Sequence, residues 1–341
     1  MLITYPFPSV YETHNGDLVN VASDLLQGMK IYSDQTGYII GQLALSEGIN
    51  PHKAINSSPH ELDYRLLVQS GLLLASSLSD EPIVLTSGFP FSTYNMNRQA
   101  AIDYITGTHR IEYAPSTFGG STRQFRSVAV AKTEIIPEIF GCVKATRNAE
   151  EFREKPFFMV SLGYGTFEAC LSNKSGIVQR TMISAQGIRY AVDDCMKELS
   201  KSYYLGLRTE HQFDVAFQSG STMLNRKRID ITEIRKIALK RYFRNVIASA
   251  IRNLWTDEDF GKTDTLVIAG GGALYTDLMD CFDEEYGDTL NIRVLDDPLT
   301  AASRGYCIHS VEVTGDQNSV AVGLDIGNAN TVVTIYSDFA P

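Results

Sequence analysis

The sequence contains no long hydrophobic segment. No apolar run approaches the ~18 residues that a membrane-spanning helix needs. The residues after Met1 also lack the basic segment and the cleavage site of a secretory signal. We therefore expect a protein that acts in the cytoplasm and has no membrane partner.

Cysteine and histidine are too scattered to form a framework. The five cysteines are odd in number, and none belongs to a Cys-x-x-Cys pair. The six histidines are equally dispersed. This distribution argues against a disulfide scaffold and against a zinc site, and it favours a reducing compartment.

An excess of positive charge is also missing. The chain has 30 basic and 40 acidic side chains, for a net charge of −10, which disfavours direct binding to nucleic acid. One segment differs, because eight of the twenty residues 225–244 are basic. Asp230 and Glu233 form a capping pattern there, and apolar residues at helical spacing follow to about Leu254. We interpret the segment as the solvated face of an amphipathic helix rather than as a nucleic-acid patch.

The length of 341 residues predicts two domains. Strand and helix patterns alternate along the chain, which indicates an α/β fold. A second unit starts near Asn148 in this interpretation. The main expected elements are strands over 81–90 and 125–136, a helix over 137–145, a hairpin over 155–172, a helix over 184–203, a strand, glycine-rich turn and helix over 265–282, and a strand and helix over 290–308.

Two segments repeat one pattern at an offset of 164 residues. VGLDIGNANTVV (322–333) can be laid over FMVSLGYGTFEA (158–169), and each consists of a strand, a turn of small residues and a second strand. Two similar hairpins suggest two similar domains that face each other. The overlay places Asp325 on Ser161, Gly327 on Gly163, Asn330 on Thr166 and Val332 on Glu168.

Glycine-rich turns of this kind suit a nucleotide phosphate, because backbone N–H groups can approach it where no Cβ intervenes. Gly327, Gly163 and Gly165 are suited to that role in the two hairpins. Residues 270–272 lie between a strand and a helix, where nucleotides pack in α/β sheets. The Gly-x-Gly-x-x-Gly dinucleotide pattern is absent. One such turn is usually only a turn, but the combination indicates a nucleotide site.

These segments together resemble the nucleotide motifs of the actin-like ATPases, a superfamily shared with sugar kinases and heat-shock chaperones. Within it they look most like ParM-type plasmid-segregation actins. The resemblance implies an actin-like two-domain α/β fold, with two ribonuclease-H-like domains around a nucleotide cleft. LDIGNANTVV (324–333) is similar to the first phosphate motif, SLGYGTFEA (161–169) to the second, IAGGGA (268–273) to the adenosine motif, and IIPEIFG (135–141) to the connecting helix with its water-positioning acid.

The order of the motifs differs from that family. There the first phosphate motif is N-terminal, whereas here it occupies residues 321–336 and the rest of the chain runs in family order. This is the pattern of a circular permutation in which TGDQNS (314–319) joins the former ends. The resemblance then implies a domain I over residues 1–149 plus 298–341 and a domain II over residues 150–297.

The resemblance assigns roles by position. Asp325 matches the acid that holds Mg²⁺, usually through its water shell. Glu138 matches the acid that orients the attacking water, so we expect both acids to be catalytic. The expected nucleotide contacts are Gly327, Asn328, Ala329 and Asn330 in the first turn, Ser161, Gly163, Tyr164, Gly165 and Thr166 in the second, and Gly270, Gly271, Gly272 and Ala273 at the adenosine.

Two positions depart from the family pattern. Ser161 stands where the second motif normally opens with Asp, and Val332 stands where the first motif often carries Lys. A hydroxyl can bond a metal-bound water, but it brings no charge to Mg²⁺. We therefore expect nucleotide binding with slow hydrolysis and a greater dependence on Asp325.

The function that the resemblance implies is a filament-forming bacterial or archaeal actin-like protein that binds Mg²⁺ and hydrolyses ATP or GTP. The expected partners are further copies of the chain and a DNA-binding adaptor, in plasmid or DNA segregation or in a cytoskeletal role. Two alternatives stay open. A small-molecule kinase of the same superfamily would need a general-base Asp near position 161, and a nucleotide-binding switch or scaffold would not polymerise.

Overall fold

The computed structural model describes residues 1–16, 18, 25–26, 28–54, 58–114, 123–205, 210–315 and 319–336. The chain forms two compact units, Met1–Ala145 with Ala302–Pro341 and Thr146–Ala301. None of the helices in the described ranges is long and apolar enough to cross a membrane. The five cysteines are buried, and none of them forms a disulfide. Residues 316–318 of the predicted linker lie outside the described residues.

Strands and helices alternate along the chain, as the sequence predicts. The strands are β1 (Leu2–Pro8), β2 (Val10–Thr13), β3 (Met29–Ser33), β4 (Thr36–Ile40), β5 (His52–Lys53), β6 (Ile83–Phe89), β7 (Gly107–Tyr113), β8 (Gln124–Pro137), β9 (Phe157–Leu162), β10 (Thr166–Asn173), β11 (Gly176–Ile177), β12 (Ile183–Gln186), β13 (Ser221–Leu224), β14 (Lys227–Asp230), β15 (Thr265–Ala269), β16 (Asn291–Val294), β17 (Val320–Ile326) and β18 (Asn330–Tyr336). The α-helices are α1 (Gln42–Glu47), α2 (Leu62–Leu78), α3 (Phe91–Ile105), α4 (Glu138–Arg147), α5 (Arg189–Ser200), α6 (Glu210–Ser219), α7 (Thr232–Tyr242), α8 (Ser249–Leu254), α9 (Asp257–Phe260), α10 (Thr276–Tyr286) and α11 (Ala301–Thr314). A π-helical segment, Phe243–Ala248, joins α7 to α8.

One large mixed sheet forms the first unit, in the order β1-β18-β17-β6-β8-β7-β3-β4-β2-β5. The hairpin of β17 and β18 is antiparallel, whereas β17, β6 and β8 run parallel. Helix α2 covers one face, where Gly71 lies against the side chain of Leu324. Helix α11 covers the other face, where Gly323 lies against the Ser303 carbonyl. The last hairpin of the chain is therefore buried inside the sheet.

A smaller sheet organises the second unit, in the order β11-β10-β9-β15-β16, with β12 paired to β10. In strands β9 and β10 the residues that point to either face of the sheet are buried, apart from the ends of β10. Aromatic side chains fill the core on one side, where the rings of Phe158 and Trp255 stack with centroids 4.2 Å apart. Burial of these apolar side chains is the main source of stability of the unit.

The two sheets share one arrangement. In each, an antiparallel hairpin has a third antiparallel strand on one side and two parallel strands on the other. In the second unit the third strand, β11, follows β10 directly in the chain. In the first unit the equivalent neighbours are β18 and β1, and Leu2 is the register partner of Tyr336. The two ends of the described chain are therefore adjacent in the sheet.

Two predicted helix boundaries are wrong. Residues 184–186 were expected in a helix, but they belong to β12 because they pair with β10, where Gln186 is the partner of Thr166. Residues 225–230 were also expected in a helix, but they lie in the β13–β14 hairpin. Asn225 and Arg226 form its turn with φ values of 50° and 63°. Helix α7 begins only at Thr232, whose N–H donates to the Asp230 carboxylate at 2.8 Å.

Moving residues 316–341 ahead of Met1 is expected to preserve the fold, because the new connection joins strands that are already hydrogen-bonded neighbours. The rearranged chain should melt within about 5 °C of the original in circular dichroism. A control chain opened between Val84 and Leu85, inside the buried strand β6, should not fold. If the rearranged chain also fails to fold, the expectation that the neighbouring ends can be joined without loss of the fold is wrong.

Candidate functional site

One backbone hydrogen bond closes the turn between β17 and β18. The Gly327 N–H donates to the Asn330 carbonyl at 3.1 Å. A Cβ on Gly327 would lie 2.8 Å from the same oxygen, so the turn requires glycine there. Asn328 and Ala329 form the tip of the turn.

Ser9, between β1 and β2, supports this turn and was not among the residues expected from the sequence. It is fully buried. Its backbone N–H donates to the Ala329 carbonyl at 3.0 Å, and its hydroxyl donates to the Gly327 carbonyl at 2.5 Å. The same hydroxyl lies 2.9 Å from the Thr331 hydroxyl. Ser9 thereby fixes the carbonyl side of the turn.

The turn between β9 and β10 repeats this geometry. The Gly163 N–H donates to the Thr166 carbonyl at 2.9 Å, and a Cβ on Gly163 would lie 2.7 Å from that oxygen. The strand registers also coincide, because Asp325 pairs with Val332 as Ser161 pairs with Glu168. The internal repeat predicted from the sequence is therefore present in the structure.

The second turn is supported by the start of α5 instead of by a serine. Three successive backbone N–H groups before and at the first residue of α5 donate to three successive turn carbonyls. Gly187 allows this approach, because a Cβ there would lie 2.5 Å from two of these oxygens. The bonds are Ile188 to Gly163 at 3.1 Å, Arg189 to Tyr164 at 2.9 Å and Gly187 to Gly165 at 3.0 Å.

Carbonyl bonding on one side of each turn orients the amides on the other side. In a trans peptide the N–H points away from the C=O of the same peptide unit. The N–H groups of Asn328 and Asn330 are therefore directed away from Ser9, and those of Tyr164 and Gly165 away from α5. Nearby backbone N–H groups that point in the same direction form the kind of concavity that binds anions.

Asp325 is the carboxyl group of the first turn. Because Leu324 pairs with Ser87, the neighbour of Asp325 on β6 is Gly88, which has no side chain. Burial raises the pKa of Asp325 from an ordinary value of 3.8 to about 7. A carboxylate that is so poorly solvated gains strongly from a nearby cation, and this property fits a divalent metal.

The chemistry of the donors fits Mg²⁺ better than a metal held by protein ligands alone. Among the described residues, no group of three or more His, Cys, Asp or Glu side chains is placed to hold a metal ion. Mg²⁺ usually takes one or two carboxylates and completes its octahedron with phosphate oxygens and water. A single half-buried carboxyl beside a turn whose amides point in one direction is suited to that mode.

Glu138 stands at the same edge of the sheet as Asp325. It is the first residue of α4 and follows β8 directly. Because β17, β6 and β8 are parallel, their carboxyl ends meet at one edge, where α/β proteins bind ligands. Helix α4 is held closely against α11, since a Cβ on Gly305 would overlap the Gly141 carbonyl. The structure therefore brings the two predicted catalytic acids to one edge of the first unit.

Glu168 is a second residue that the sequence did not single out. It is the register partner of Ser161, and both side chains are almost completely buried. Residues directly opposite in antiparallel strands project from the same face. The second hairpin therefore has a carboxylate on β10 where the expected one on β9 is missing. The sequence signal that could have identified Glu168 is an acidic residue at a strand position that faces the core.

The glycines after β15 differ in what they contact. Gly270 has a φ of 85°, and a Cβ there would lie 2.7 Å from the Leu162 backbone. A Cβ on Gly272 would lie 2.6 Å from the Leu162 Cβ. Packing alone therefore explains these two glycines. Gly271 is partly exposed, and the nearest atom to a Cβ there is Leu299 Cδ1 at 3.5 Å, so packing does not require glycine at this position.

The predicted residues thus form one set in each unit. The first unit holds Glu138, Asp325 and the turn 327–330. The second unit holds Ser161, the turn 163–166 and the segment 270–273, which meets that turn through Leu162.

Comparison with known families and structures identifies relatives of this arrangement. Residues 2–141 match the family described as actin like proteins N terminal domain. No curated protein matches the sequence.

The fold resembles those of solved actin homologues. The crystal structure of Ta0583, an archaeal actin homolog, has a TM-score of 0.69 and 17% identity, with 90% of this chain and 92% of that chain covered. The complex of Ta0583 with ADP has a TM-score of 0.62 and 18% identity, with the same coverage. A 15-stranded ParM filament from Clostridium botulinum has a TM-score of 0.69 and 19% identity over 90% of this chain and 92% of that chain. The predicted actin-like two-domain α/β fold is confirmed.

Asp325→Asn is expected to stabilise the chain in the absence of divalent cations. The folded chain holds the Asp325 proton more tightly than the unfolded chain, so the free energy of unfolding falls as pH rises from about 4 to about 7. The amide of the variant is uncharged at every pH, so it does not lower the free energy of unfolding as pH rises. In chelator at neutral pH the variant should melt about 2–4 °C higher than the original, and the difference should vanish towards pH 4. The control Asp103→Asn, at an exposed site, should melt unchanged, and an Asp325→Asn chain that melts at or below the original would refute the buried-charge account.

Gly271→Ala is expected to weaken nucleotide binding without loss of stability, because the added methyl meets no protein atom closer than 3.5 Å. Titration with a fluorescent ATP analogue should show at least about a tenfold loss of affinity. Gly270→Ala is the matched control and should lower the melting temperature, because its φ of 85° is strained for alanine. Unchanged affinity in Gly271→Ala would place the nucleotide elsewhere.

Proposed function

We propose that this chain, whose fold is actin-like and whose residues 2–141 match the actin like proteins N terminal domain, binds and hydrolyses ATP or GTP with Mg²⁺ and assembles into filaments. In this proposal residues 1–149 with 298–341 are actin-like domain I, and residues 150–297 are domain II. The observation that carries the proposal is the repeated closed turn, which presents backbone N–H groups in each unit.

The turns supply the phosphate contacts in the proposed complex. The proposed phosphate contacts are the N–H groups of Asn328 and Asn330 in the first unit and those of Tyr164 and Gly165 in the second unit. Gly271 is the place where the adenosine packs on the backbone, because it has no packing reason to be glycine. The ADP complex of Ta0583 supports a nucleotide as the ligand of this fold.

Asp325 is the residue that would hold Mg²⁺. The ion supplies positive charge that offsets the phosphate oxygens when it is bound. Glu138 orients the attacking water by accepting one of its hydrogen bonds, which is a positioning role rather than covalent chemistry. Ser161 adds no charge, and Glu168 places a carboxylate on the same face. We expect hydrolysis to be slow.

We also propose that the chain is circularly permuted. The support is internal to the molecule. The second unit has its three antiparallel strands in consecutive order, whereas the first unit has the same three strands with the chain ends between the second and the third. The hairpin that carries Asp325 keeps its place in the sheet although it comes last in the chain.

Self-assembly is the part of the proposal with an explicit precedent among the similar structures, since one of them is a ParM filament. The proposed setting is plasmid or DNA segregation through a DNA-binding adaptor, or a cytoskeletal role, in the cytoplasm. The chain itself is not proposed to bind nucleic acid, because its net charge is −10.

Sedimentation and phosphate release, measured together, test this function. With Mg²⁺ and ATP or GTP the chain should pellet above a critical concentration and release phosphate slowly. With ADP, without nucleotide or in chelator it should stay in the supernatant. The Glu138→Gln variant should still pellet but release phosphate at least about tenfold more slowly.

The rival functions give different results in the same experiment. Nucleotide binding without any pelleting would identify a switch or scaffold. Phosphate transfer that requires a sugar would identify a small-molecule kinase. If Glu138→Gln loses assembly and keeps hydrolysis, the role given to Glu138 is wrong.

A further inference from the structure

The β13–β14 hairpin carries the only run of three consecutive basic residues in the sequence, Arg226, Lys227 and Arg228. All three are exposed. No carboxylate of the described residues forms an ion pair with any of them. This charge is unusual in a chain whose net charge is −10, and neither the fold nor the proposed nucleotide site uses it.

Three of the five basic residues that follow in the segment lie beside carboxylates. Lys236 and Lys240 of α7 face Asp277 and Glu284 of α10 at 3.7 Å each. Arg241 reaches Asp194 of α5 at 3.1 Å. Most of the paired charge of residues 225–244 therefore lies on α7, whereas the three consecutive basic residues of the hairpin form no ion pair with a described carboxylate.

The hairpin is held as a defined shape. It forms a two-stranded sheet of its own, anchored by the buried side chain of Leu224. Its base is closed by the Ile231 N–H, which donates to the Gly220 carbonyl at 2.9 Å. Asp230 is the acid that follows the three basic residues most closely in the sequence, and its carboxylate accepts a hydrogen bond from the Thr232 N–H at 2.8 Å. A surface that is already ordered loses little conformational entropy on binding.

An exposed apolar side chain stands beside the charges. Met223 is the register partner of Arg228 and is 62% exposed. Cross-strand partners project from one face, so this face of the hairpin presents an unbranched apolar group next to a guanidinium. Arg and Met are enriched in protein–protein interfaces, and the combination suits an acidic protein surface with some apolar area.

We propose that the hairpin of residues 221–230 is an assembly contact that binds the acidic surface of a second copy of this chain. The inference rests on the proposed function. Two copies with a net charge of −10 repel each other, so a contact that brings local cations to carboxylates is favoured over other contacts. The hairpin supplies the cations and the neighbouring copy supplies the carboxylates. Three basic side chains are few for binding to nucleic acid, because that binding rests on many phosphate contacts.

The test compares two variants with equal net charge. The hairpin variant Arg226→Ser, Lys227→Ser, Arg228→Ser and the control Arg98→Ser, Lys197→Ser, Lys201→Ser each remove three exposed cations and change the net charge from −10 to −13. General repulsion therefore rises equally in both. In sedimentation with Mg²⁺ and ATP or GTP, the critical concentration of the hairpin variant should rise at least about tenfold, and that of the control by less than about twofold. Nucleotide affinity at concentrations below assembly should be unchanged in both, which shows that the hairpin variant is folded.

Cross-linking identifies the partner surface directly. A mixture of ¹⁴N and ¹⁵N chains is assembled and treated with a carbodiimide. Mass spectrometry should then find the Lys227 amine joined to an Asp or Glu of the other isotope. Links only within one isotope would overturn the inference.

The remaining outcomes separate this inference from the proposed function. If the original chain does not pellet with any nucleotide, both fall. If it pellets and the hairpin variant assembles like the control, the inference alone falls. If the hairpin variant assembles normally but loses retention on duplex DNA that the original chain shows, the hairpin serves nucleic acid and the inference is wrong.

Discussion

The pairing of the last strand with the first is the interaction on which the first unit depends. Every residue of Leu2–Pro8 has a register partner in Asn330–Tyr336, and β17 joins that pair to β6. Without the C-terminal hairpin the sheet would be divided between β1 and β6, and the faces covered by α2 and α11 would lose their centre. The same hairpin carries Asp325 and the turn 327–330. The sheet and the proposed nucleotide site therefore require the same residues.

The turns 327–330 and 163–166 have the same geometry but are held in place by different groups. Both turns have the same closing hydrogen bond and the same exclusion of a Cβ. The first is held by the side chain and backbone of Ser9, and the second by backbone N–H groups at the start of α5. What the two have in common is the direction in which the amides opposite the bonded carbonyls point. The proposed phosphate ligand would account for this common direction.

The sequence predicts much of this arrangement because its signals are local. Glycine at 163 and 327, the buried strands around it and the offset between the two hairpins are visible in single segments. The support of the turns is not visible, since Ser9 meets Gly327 across more than three hundred residues. Glu168 is recognised only when the strand register places it opposite Ser161. The helix expected over residues 225–230 failed because a turn at Asn225 and Arg226 and a buried Leu224 outweigh local helical spacing.

The raised pKa of Asp325 and the closed turn of each unit are the observations on which the proposed binding of a nucleotide with Mg²⁺ rests. The most direct test is calorimetric titration of the original chain with ATP and with GTP, in Mg²⁺ and in chelator. The account predicts one nucleotide bound per chain in Mg²⁺ and at least about a tenfold weaker affinity in chelator. No detectable binding of either nucleotide in Mg²⁺ would contradict it.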